Sequence, residues 1–273
     1  MAMTPGWRID RPIVMIGCGN MAGAMLSRWI ECGLAPQAVT VIDPGRAEPP
    51  VPGVTLLDAM PESLPSQAVV VLGIKPQLLP DVAPALAPLL DDRHIVVSML
   101  AGMTVASLRS ALGENAPFVR IMPNMAVLLG KGVCACHSEA TAALSVAEAL
   151  LEPLGLVERL GDEEEFNLVT ALSGCGPAFL FRFVDALAVA AAQLGMAPAQ
   201  AERMALATVE GAASLAVASD ISPAVLADRV ASKGGMTREG LDVLDRDDQL
   251  LRLLGETLRA ARDRGEELNK PSS

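Results

Sequence analysis

The chain has 273 residues, of which 51% are hydrophobic, and its 21 basic and 32 acidic residues give a net charge of −11 with histidine neutral. This length suits one large or two ordinary domains with a sizeable buried core. The acidic balance excludes a typical nucleic acid partner, because binding a phosphate backbone needs clustered lysine and arginine.

No segment of the sequence is predicted to target or span a membrane. Residues 1–12 lack the long apolar run of a signal peptide. The most apolar helix-like segment, 183–197, is interrupted by Asp185, Gln193 and Gly195, and it falls short of the roughly 18 apolar residues that a span requires. Five cysteines, an odd number, favour reduced thiols, so we expect a cytoplasmic protein.

In the first half of the chain, short Val/Ile-rich runs alternate with helical patterns. The runs predicted to be strands are residues 13–17, 38–43, 68–74, 94–100 and 118–123. Nearly continuous apolar character is typical of parallel strands covered on both faces. Helical segments between them, such as 21–32 and 78–90, complete βαβ units. The Pro-rich connection 44–54 is predicted to be irregular.

Three glycines follow the first predicted strand and open a helix. Gly17, Gly19 and Gly23 fit G-x-G-x-x-x-G, whereas the usual dinucleotide fingerprint places its third glycine where this chain has Ala22. Gly17 permits a tight turn, Gly19 lets backbone approach a pyrophosphate, and the helix N-terminus offers unpaired N–H groups. The pattern predicts dinucleotide binding, with an ordinary glycine-rich turn as the alternative.

An acidic residue, Asp43, ends the second predicted strand, about 20 residues beyond the glycines. A carboxylate at this point hydrogen-bonds a ribose diol and repels a 2′-phosphate, which favours NAD. The alternatives are that the nearby Arg46 binds a 2′-phosphate, or that both residues belong to a solvated loop.

A short cluster of potential metal ligands lies further along the chain. Cys134, Cys136 and His137 form a C-x-C-H sequence, and no second ligand pair accompanies it. In a strand, the two cysteines face one side and the histidine the other. Buried structural thiols are therefore predicted here, and no metal site.

From about residue 140 the pattern is helical, without strand signals. The predicted helices are residues 167–195, 199–219, 223–230, 237–244 and 247–268. Gly195 is expected to end the first of them, and Pro198 to lie in the first turn of the next. Segment 183–194 is apolar on more than one face, which favours burial against a second subunit, with a thick intrachain bundle as the alternative.

Six segments in succession carry a resemblance to a known family. They are 16-IGCGNMAGAML-26, 74-IKPQ-77, 98-SMLAGM-103, 120-RIMPNM-125, 171-ALSGCGPAF-179 and 228-DRVASKGGMTREGL-241. In this order, between about residues 12 and 268, they resemble pyrroline-5-carboxylate reductases. The resemblance implies an α/β fold, with an N-terminal Rossmann-type NAD(P)-binding domain over residues 1–160 and an all-helical dimerisation and substrate domain over residues 161–273.

The resemblance also implies an activity and a mechanism. The activity is NAD(P)H-dependent reduction of 1-pyrroline-5-carboxylate to L-proline, the last step of proline biosynthesis, in a homodimer or larger homo-oligomer. A protonated imine is already electrophilic, so positioning of donor and acceptor carries the reaction. This agrees with motifs that contain no histidine, since His94 and His137 are predicted to be structural.

Site residues follow from the same motifs. Contacts with the cofactor, NADPH or NADH, are expected from Asp43 by its position and, by resemblance, from Ile16, Gly17, Cys18, Gly19, Asn20, Met21, Gly73, Ile74, Lys75, Pro76, Met99, Leu100, Ala101 and Asn124. Contacts with the small imine substrate are expected from Glu163, Ser173, Gly174, Gly176, Gly234, Gly235 and Thr237. Catalytic roles are implied for Thr237, whose hydroxyl would lie beside the ring nitrogen, and for Ser232.

Several of these assignments have structural alternatives. Lys75 has the alternative of a surface charge, Glu163 that of a solvated acidic run, and Thr237 that of a helix N-cap.

Four positions depart from the residues usual in the family, namely Leu100, Met125, Cys175 and Lys233. Leu100 and Met125 are expected to add bulk near the nicotinamide. These departures keep two other functions open: reduction of a different imine, and a catalytically weak dinucleotide-binding protein.

Overall fold

The computed structural model describes Trp7 and residues 9–268. They divide into two compact units, one with the described residues up to Gly174 together with those from Arg262 onwards, the other Cys175–Ala261. Residues 1–6 and 8 of the segment 1–12, where no signal peptide was predicted, and residues 269–273 of the predicted domain 161–273 lie outside the described residues. The domain boundary between residues 160 and 161 stays a prediction.

The first unit contains an eight-stranded sheet. Its strands are β1 (Ile13–Ile16), β2 (Val39–Ile42), β3 (Thr55–Leu57), β4 (Val69–Leu72), β5 (Ile95–Ser98), β6 (Phe118–Met122), β7 (Gly132–His137) and β8 (Gly155–Arg159). Their order is β3-β2-β1-β4-β5-β6-β7-β8. Neighbouring strands are parallel except β6 and β7, which are antiparallel. The five predicted strands are confirmed as β1, β2, β4, β5 and β6.

The helices of the described chain are α1 (Asn20–Glu31), α2 (Leu79–Leu86), α3 (Val105–Leu112), α4 (Thr141–Leu151), α5 (Glu165–Val169), α6 (Gly176–Gln193), α7 (Pro198–Val217), α8 (Pro223–Arg229), α9 (Met236–Asp245) and α10 (Gln249–Leu268). Those predicted for the second half of the chain are confirmed as α6 to α10. Pro198 begins α7 and Gly195, with φ of 107°, follows α6, both as predicted.

The expectation that strands end before residue 140 is wrong. Strand β8 has partly or fully exposed residues throughout, so it lacks the continuous apolar signal of a buried strand. Strand β3 has only 3 residues, and β7 is built mostly from small residues.

The sheet is covered by helices on both faces, which explains the continuous apolar strands. Ile13 and Met15 of β1 belong to a core cluster with side chains of α1 and α4. Val14 and Ile16, which point to the other face, belong to a second cluster with side chains of α2 and α3. Because helices cover both faces, polar side chains and glycines are left to gather at the ends of the strands.

The two cysteines of the C-x-C-H sequence are buried in the core. Cys134 and Cys136 lie on β7 and belong to the cluster that contains side chains of α1 and α4. Burial raises the pKa of the Cys134 thiol to about 12 and that of Cys136 to about 11. Nδ1 of His137 lies 3.1 Å from the Leu160 carbonyl oxygen. The prediction of buried thiols is confirmed.

We expect most of the thiols to resist alkylation in the folded protein. Cys18, Cys32, Cys134 and Cys136 are buried, and the nucleophile is the thiolate, which burial disfavours. Treatment with iodoacetamide at mildly alkaline pH should therefore add at most one group per native chain, measured by intact mass, and one group per cysteine in urea. Two or more adducts on the native chain would contradict these buried positions.

The second unit has a small core and a broad apolar surface. Helices α6 and α7 pack through buried Ala188, Ala201 and Ala205. Large side chains remain in solvent, since Phe181 is 71% exposed and Leu194 is 91% exposed. The alternative of a thick intrachain bundle is therefore wrong, because such a bundle would bury these side chains.

One helical stretch in the described part of the chain, Glu165–Gln193, is long and apolar enough to cross a membrane by length and composition alone. It includes α5, a π-helical turn and α6. The expectation that the apolar segment is too short to span a membrane was based on residues 183–197 alone. The structure corrects it, because the helical stretch is longer. One such helix is weak evidence of a membrane span, and its exposed apolar face also suits a partner subunit.

Candidate active site

The predicted cofactor residues meet at one edge of the sheet. Strands β2 and β3 lie on one side of β1, and β4, β5 and β6 on the other, so the strand order reverses between β1 and β4. Open α/β sheets bind ligands outside the carboxyl ends of their strands at such a point. The predicted residues lie at or just beyond the carboxyl ends of β1, β2, β4, β5 and β6, which brings them to this edge.

Gly17 and Gly73 allow β1, β4 and α1 to pack closely. Gly17 has φ of 80°, and a Cβ built there would lie 2.6 Å from Ile74 Cγ2. A Cβ on Gly73 would lie 2.7 Å from the Gly17 carbonyl oxygen and 2.8 Å from Ala22 Cβ. The Gly17 N–H donates to the Ile42 carbonyl at 2.8 Å. These glycines therefore serve the packing of strand against helix.

Gly19 has different surroundings. It precedes α1 with φ of −72° and ψ of −169°, which any residue adopts, and a Cβ there would meet nothing within 4 Å. Gly19 and Asn20 are exposed, while the neighbouring side chains of Ile16 and Met21 lie in or against the core. No side chain of the described residues caps this end of α1, so the edge fits an anionic group that accepts helix N–H bonds.

Asp43 and Arg46 both hold the loop between β1 and α1. One carboxylate oxygen of Asp43, Oδ2, accepts the Cys18 N–H at 3.0 Å, and the other accepts the Gly45 N–H at 3.1 Å. Nη2 of Arg46 donates to the Cys18 carbonyl at 2.9 Å. Cys18 thus contributes its backbone to this network, while burial raises the pKa of its thiol.

The segment after β4 presents a lysine to solvent. Lys75 is exposed and precedes a short helical turn, Pro76–Leu78, whose last N–H donates to the Lys75 carbonyl at 2.9 Å. Pro76 occupies the first position of that turn, where its missing N–H costs nothing. The side chain is therefore placed at the carboxyl edge, and its contact with a cofactor stays a prediction.

The segment after β5 divides its side chains between core and surface. Met99 is partly buried, and Ala101 is exposed. Leu100 is buried in the cluster that includes Val105 of α3, and its N–H donates to Ser98 Oγ at 3.3 Å. The bulk of Leu100 therefore packs in the core, and its closeness to the nicotinamide stays a prediction.

The buried amide of Asn124 joins two loops. Its Nδ2 donates to the Ser173 carbonyl at 2.9 Å. Its Oδ1 accepts the N–H groups of Ala126 at 3.2 Å and Val133 at 3.3 Å. Asn124 therefore positions the backbone after β6, and a direct contact with the nicotinamide stays a prediction.

The loop that receives this bond is a π-helical turn, Thr170–Gly174. Ser173 Oγ donates to the Val169 carbonyl at 2.8 Å, and a Cβ on Gly174 would lie 3.3 Å from Thr170 Cγ2. Single π-helical turns occur often at functional sites. Ser173 and Gly174 are thus held in a locally irregular helix that the sequence did not reveal.

Glu163 belongs to a partly buried ion pair that sequence reasoning missed. Its Oε1 accepts from Arg120 Nη1 at 2.7 Å and from the Val105 N–H at 2.8 Å. The side chain of Arg120 is 6% exposed and that of Glu163 is 24% exposed. The guanidinium also lies 4.2 Å from the ring centroid of Phe166. The alternative of a solvated run is wrong for Glu163, and the signal for its partner was one arginine inside the apolar strand β6.

The remaining predicted residues lie in the second unit. Gly176 begins α6, and Gly235 is the N-cap of α9. The Gly235 N–H donates to the Ser232 carbonyl at 2.9 Å, closing a turn in which Gly234 has φ of 69°. Thr237 is exposed in the first turn of α9. The alternative that Thr237 is the N-cap is therefore wrong.

Comparisons with known proteins cover both halves of the chain. Residues 12–102 match a family model described as NADP oxidoreductase coenzyme F420-dependent, and residues 163–268 match one described as pyrroline-5-carboxylate reductase dimerisation. The chain is 35% identical over 236 residues to a pyrroline-5-carboxylate reductase of Pseudomonas aeruginosa, covering 84% of this chain and 86% of that protein.

Solved structures give the same result. A pyrroline-5-carboxylate reductase from Coxiella burnetii has a TM-score of 0.88 and 30% identity, covering 96% of this chain and 100% of that one. A Plasmodium falciparum pyrroline carboxylate reductase with NADP bound has a TM-score of 0.78 and 20% identity, covering 96% and 99%, and shows likeness of fold. The chain belongs to the pyrroline-5-carboxylate reductase family.

Proposed function

We propose that this protein reduces 1-pyrroline-5-carboxylate to L-proline with NADPH or NADH, the last step of proline biosynthesis. Membership of the family, over most of the chain, is the observation that carries this function. The carboxyl edge of the sheet supports the nucleotide half, because the open N-terminus of α1 beside Gly19 fits a pyrophosphate.

Bound NAD(P)H supplies a hydride, which the carbon of the protonated C=N bond accepts. The protein need not supply a strong acid, because the protonated imine is already electrophilic. Its task is to hold the two carbons roughly 3–3.5 Å apart. We assign Thr237 to orient the ring nitrogen, with Ser232 beside it in the turn before α9.

The other site residues are proposed from their positions. The substrate carboxylate is assigned to the free backbone N–H groups of the turn before α9, around Gly234, Gly235 and Thr237, where the Gly235 N–H is itself bonded to the Ser232 carbonyl. Ser173, Gly174 and Gly176, at the π-helical turn and the start of α6, are assigned to close approach of the substrate by their backbone. Glu163 acts in this scheme through the segments it ties together, the start of α3 and strand β6.

The assembly proposed is a homodimer or larger homo-oligomer. Its basis is the apolar surface of the second unit together with the match to a dimerisation model. All five cysteines are free thiols, which suits a reducing, cytoplasmic compartment.

The assay of this function uses purified protein, NADPH or NADH, and 1-pyrroline-5-carboxylate. Cofactor oxidation is followed by absorbance, and proline is identified by chromatography. Proline formed in proportion to cofactor oxidised is the expected result. Cofactor binding without oxidation by this substrate would contradict the proposal.

A second candidate is reduction of another imine by the same site. Met125, which follows Asn124, is exposed, and Lys233 is exposed in the turn before α9. Both differ from the residues usual in the family. A higher kcat/KM for another cyclic or acyclic imine than for 1-pyrroline-5-carboxylate would favour this candidate.

Thr237→Ala is expected to lower kcat/KM for the imine by about ten- to a hundredfold, the loss of one hydrogen bond to a charged group. Cofactor affinity should stay unchanged, because Thr237 is assigned to the substrate. Thr257→Ala is the matched control, since the Thr257 hydroxyl donates only to the Leu253 carbonyl within α10, at 2.8 Å. Equal kcat/KM in Thr237→Ala and wild type would remove Thr237 from the site.

A further inference from the structure

Residues 43–46, with the sequence D-P-G-R, form a turn that is built by the aspartate itself. The Arg46 N–H donates to the Asp43 carbonyl at 3.1 Å, and Asp43 Oδ1 accepts the Gly45 N–H at 3.1 Å. Pro44 and Gly45 suit the two central positions of such a turn. The turn reverses the chain directly after β2, and this brings Arg46 back towards the loop before α1.

The carboxylate of Asp43 is committed to the protein on both oxygens. Besides the bond to Gly45, its Oδ2 accepts the Cys18 N–H at 3.0 Å and lies 4.0 Å from Arg46 Nε. An acidic residue that binds a ribose diol must have carboxylate oxygens free to accept hydrogen bonds from the two hydroxyl groups. Here they hold a turn and the phosphate loop, and a nearby guanidinium offsets the charge that would repel a 2′-phosphate.

Arg46 lies beside Asp43 and Cys18, and most of its N–H donors are not used in the contacts with these two residues. Its Nη2 donates to the Cys18 carbonyl at 2.9 Å, and its side chain is 37% exposed. A guanidinium has five N–H donors in a planar fork that binds phosphate in a bidentate manner. In a Rossmann-type site, the adenosine ribose lies at the end of the second strand, where an arginine accommodates a 2′-phosphate.

We infer that Arg46 determines the cofactor preference of this protein in favour of NADPH, and that Asp43 is a positioning residue that shapes the phosphate loop and holds Arg46. This inference rests on the proposed function only in taking the carboxyl edge of the sheet as the nicotinamide dinucleotide site. It reverses the preference for NAD that the position of Asp43 in the sequence favours.

The test is a direct binding measurement, by calorimetry, of NADPH and of NADH to the purified full chain. Wild type should bind NADPH at least about tenfold more tightly, since one charge-assisted contact has that effect. Arg46→Gln should weaken NADPH binding more than NADH binding, so that the two affinities become about equal, while any loss common to both cofactors comes from the broken bond to the Cys18 carbonyl. Arg46→Lys, which keeps the charge but loses the fork, should fall between them.

Asp43→Asn tests Asp43 apart from Arg46, because it removes the charge and leaves one acceptor oxygen for the two N–H groups of Cys18 and Gly45. It should retain the preference for NADPH. The matched control is Arg11→Gln, which removes an exposed guanidinium bonded to the Gln67 and Arg93 carbonyls, before β1 at the opposite edge of the sheet. Its affinity ratio should equal that of wild type.

The outcomes distinguish this inference from the function on which it rests. Equal affinities in wild type, an unchanged ratio in Arg46→Gln, or a selective tenfold loss of NADH in Asp43→Asn would overturn the inference while leaving the dinucleotide site in place. Binding of neither cofactor by wild type would overturn the dinucleotide site, and the inference with it.

Discussion

Replacing Gly19 with valine is expected to weaken binding of both NADPH and NADH by about a hundredfold or more, while the protein stays folded. The backbone at Gly19 is extended, and a Cβ there meets no protein atom within 4 Å, so the fold tolerates the side chain. The same side chain would stand before the N-terminus of α1. It would displace a phosphate from several charge-assisted N–H bonds.

Calorimetric titration gives the affinities, and thermal unfolding gives the stability. Gly161→Val is the matched control, because Gly161 is exposed and a Cβ there has only an ordinary contact, 3.7 Å from Glu165 Oε1. It should bind both cofactors like wild type. Normal cofactor affinity in folded Gly19→Val would exclude the N-terminus of α1 as the pyrophosphate site.

Replacing Arg120 with methionine is expected to lower the free energy of unfolding by about 2 kcal/mol, less than the about 3–5 kcal/mol lost from a fully buried ion pair, because Glu163 is 24% exposed. The change leaves the carboxylate of Glu163 with the Val105 N–H but without its cation. It also removes the guanidinium from the ring of Phe166. Urea unfolding of the purified protein, with the slope compared between variants, measures the loss.

Two further variants give this prediction its controls. Glu163→Gln keeps an acceptor for the Val105 N–H but leaves the Arg120 cation unpaired, so it should also be less stable than wild type. Arg159→Met breaks an exposed pair with Glu148 and should cost less than about 1 kcal/mol. A Glu163→Gln protein of wild-type stability, with a raised KM for the imine alone, would assign Glu163 to the substrate instead.

The sequence predicted those parts of the fold that depend on local patterns. The buried strands have continuous apolar runs because both faces of the sheet are covered, and Gly17 marks the turn after β1 because its φ is positive. Strand β8 was missed because an exposed edge strand has no such run.

At the candidate site, the sequence predicted where residues lie in the fold better than it predicted which groups their side chains bond. Asp43 lies at the end of β2 as expected, yet its carboxylate accepts backbone N–H groups that no motif specifies. The pair of Arg120 and Glu163 was missed for a similar reason, since 43 residues separate them along the chain. Contacts between residues so far apart in sequence depend on the tertiary structure, and the hydrophobic periodicity of the sequence does not predict them.

In a homo-oligomer that covers it, the exposed apolar surface of residues 175–261 would couple folding to assembly. Side chains such as Leu194 and Met236, 91% and 94% exposed in one chain, gain stabilisation only when another surface excludes water from them. The free energy of unfolding then depends on protein concentration, so dilution destabilises this half of the protein and a higher concentration raises its Tm.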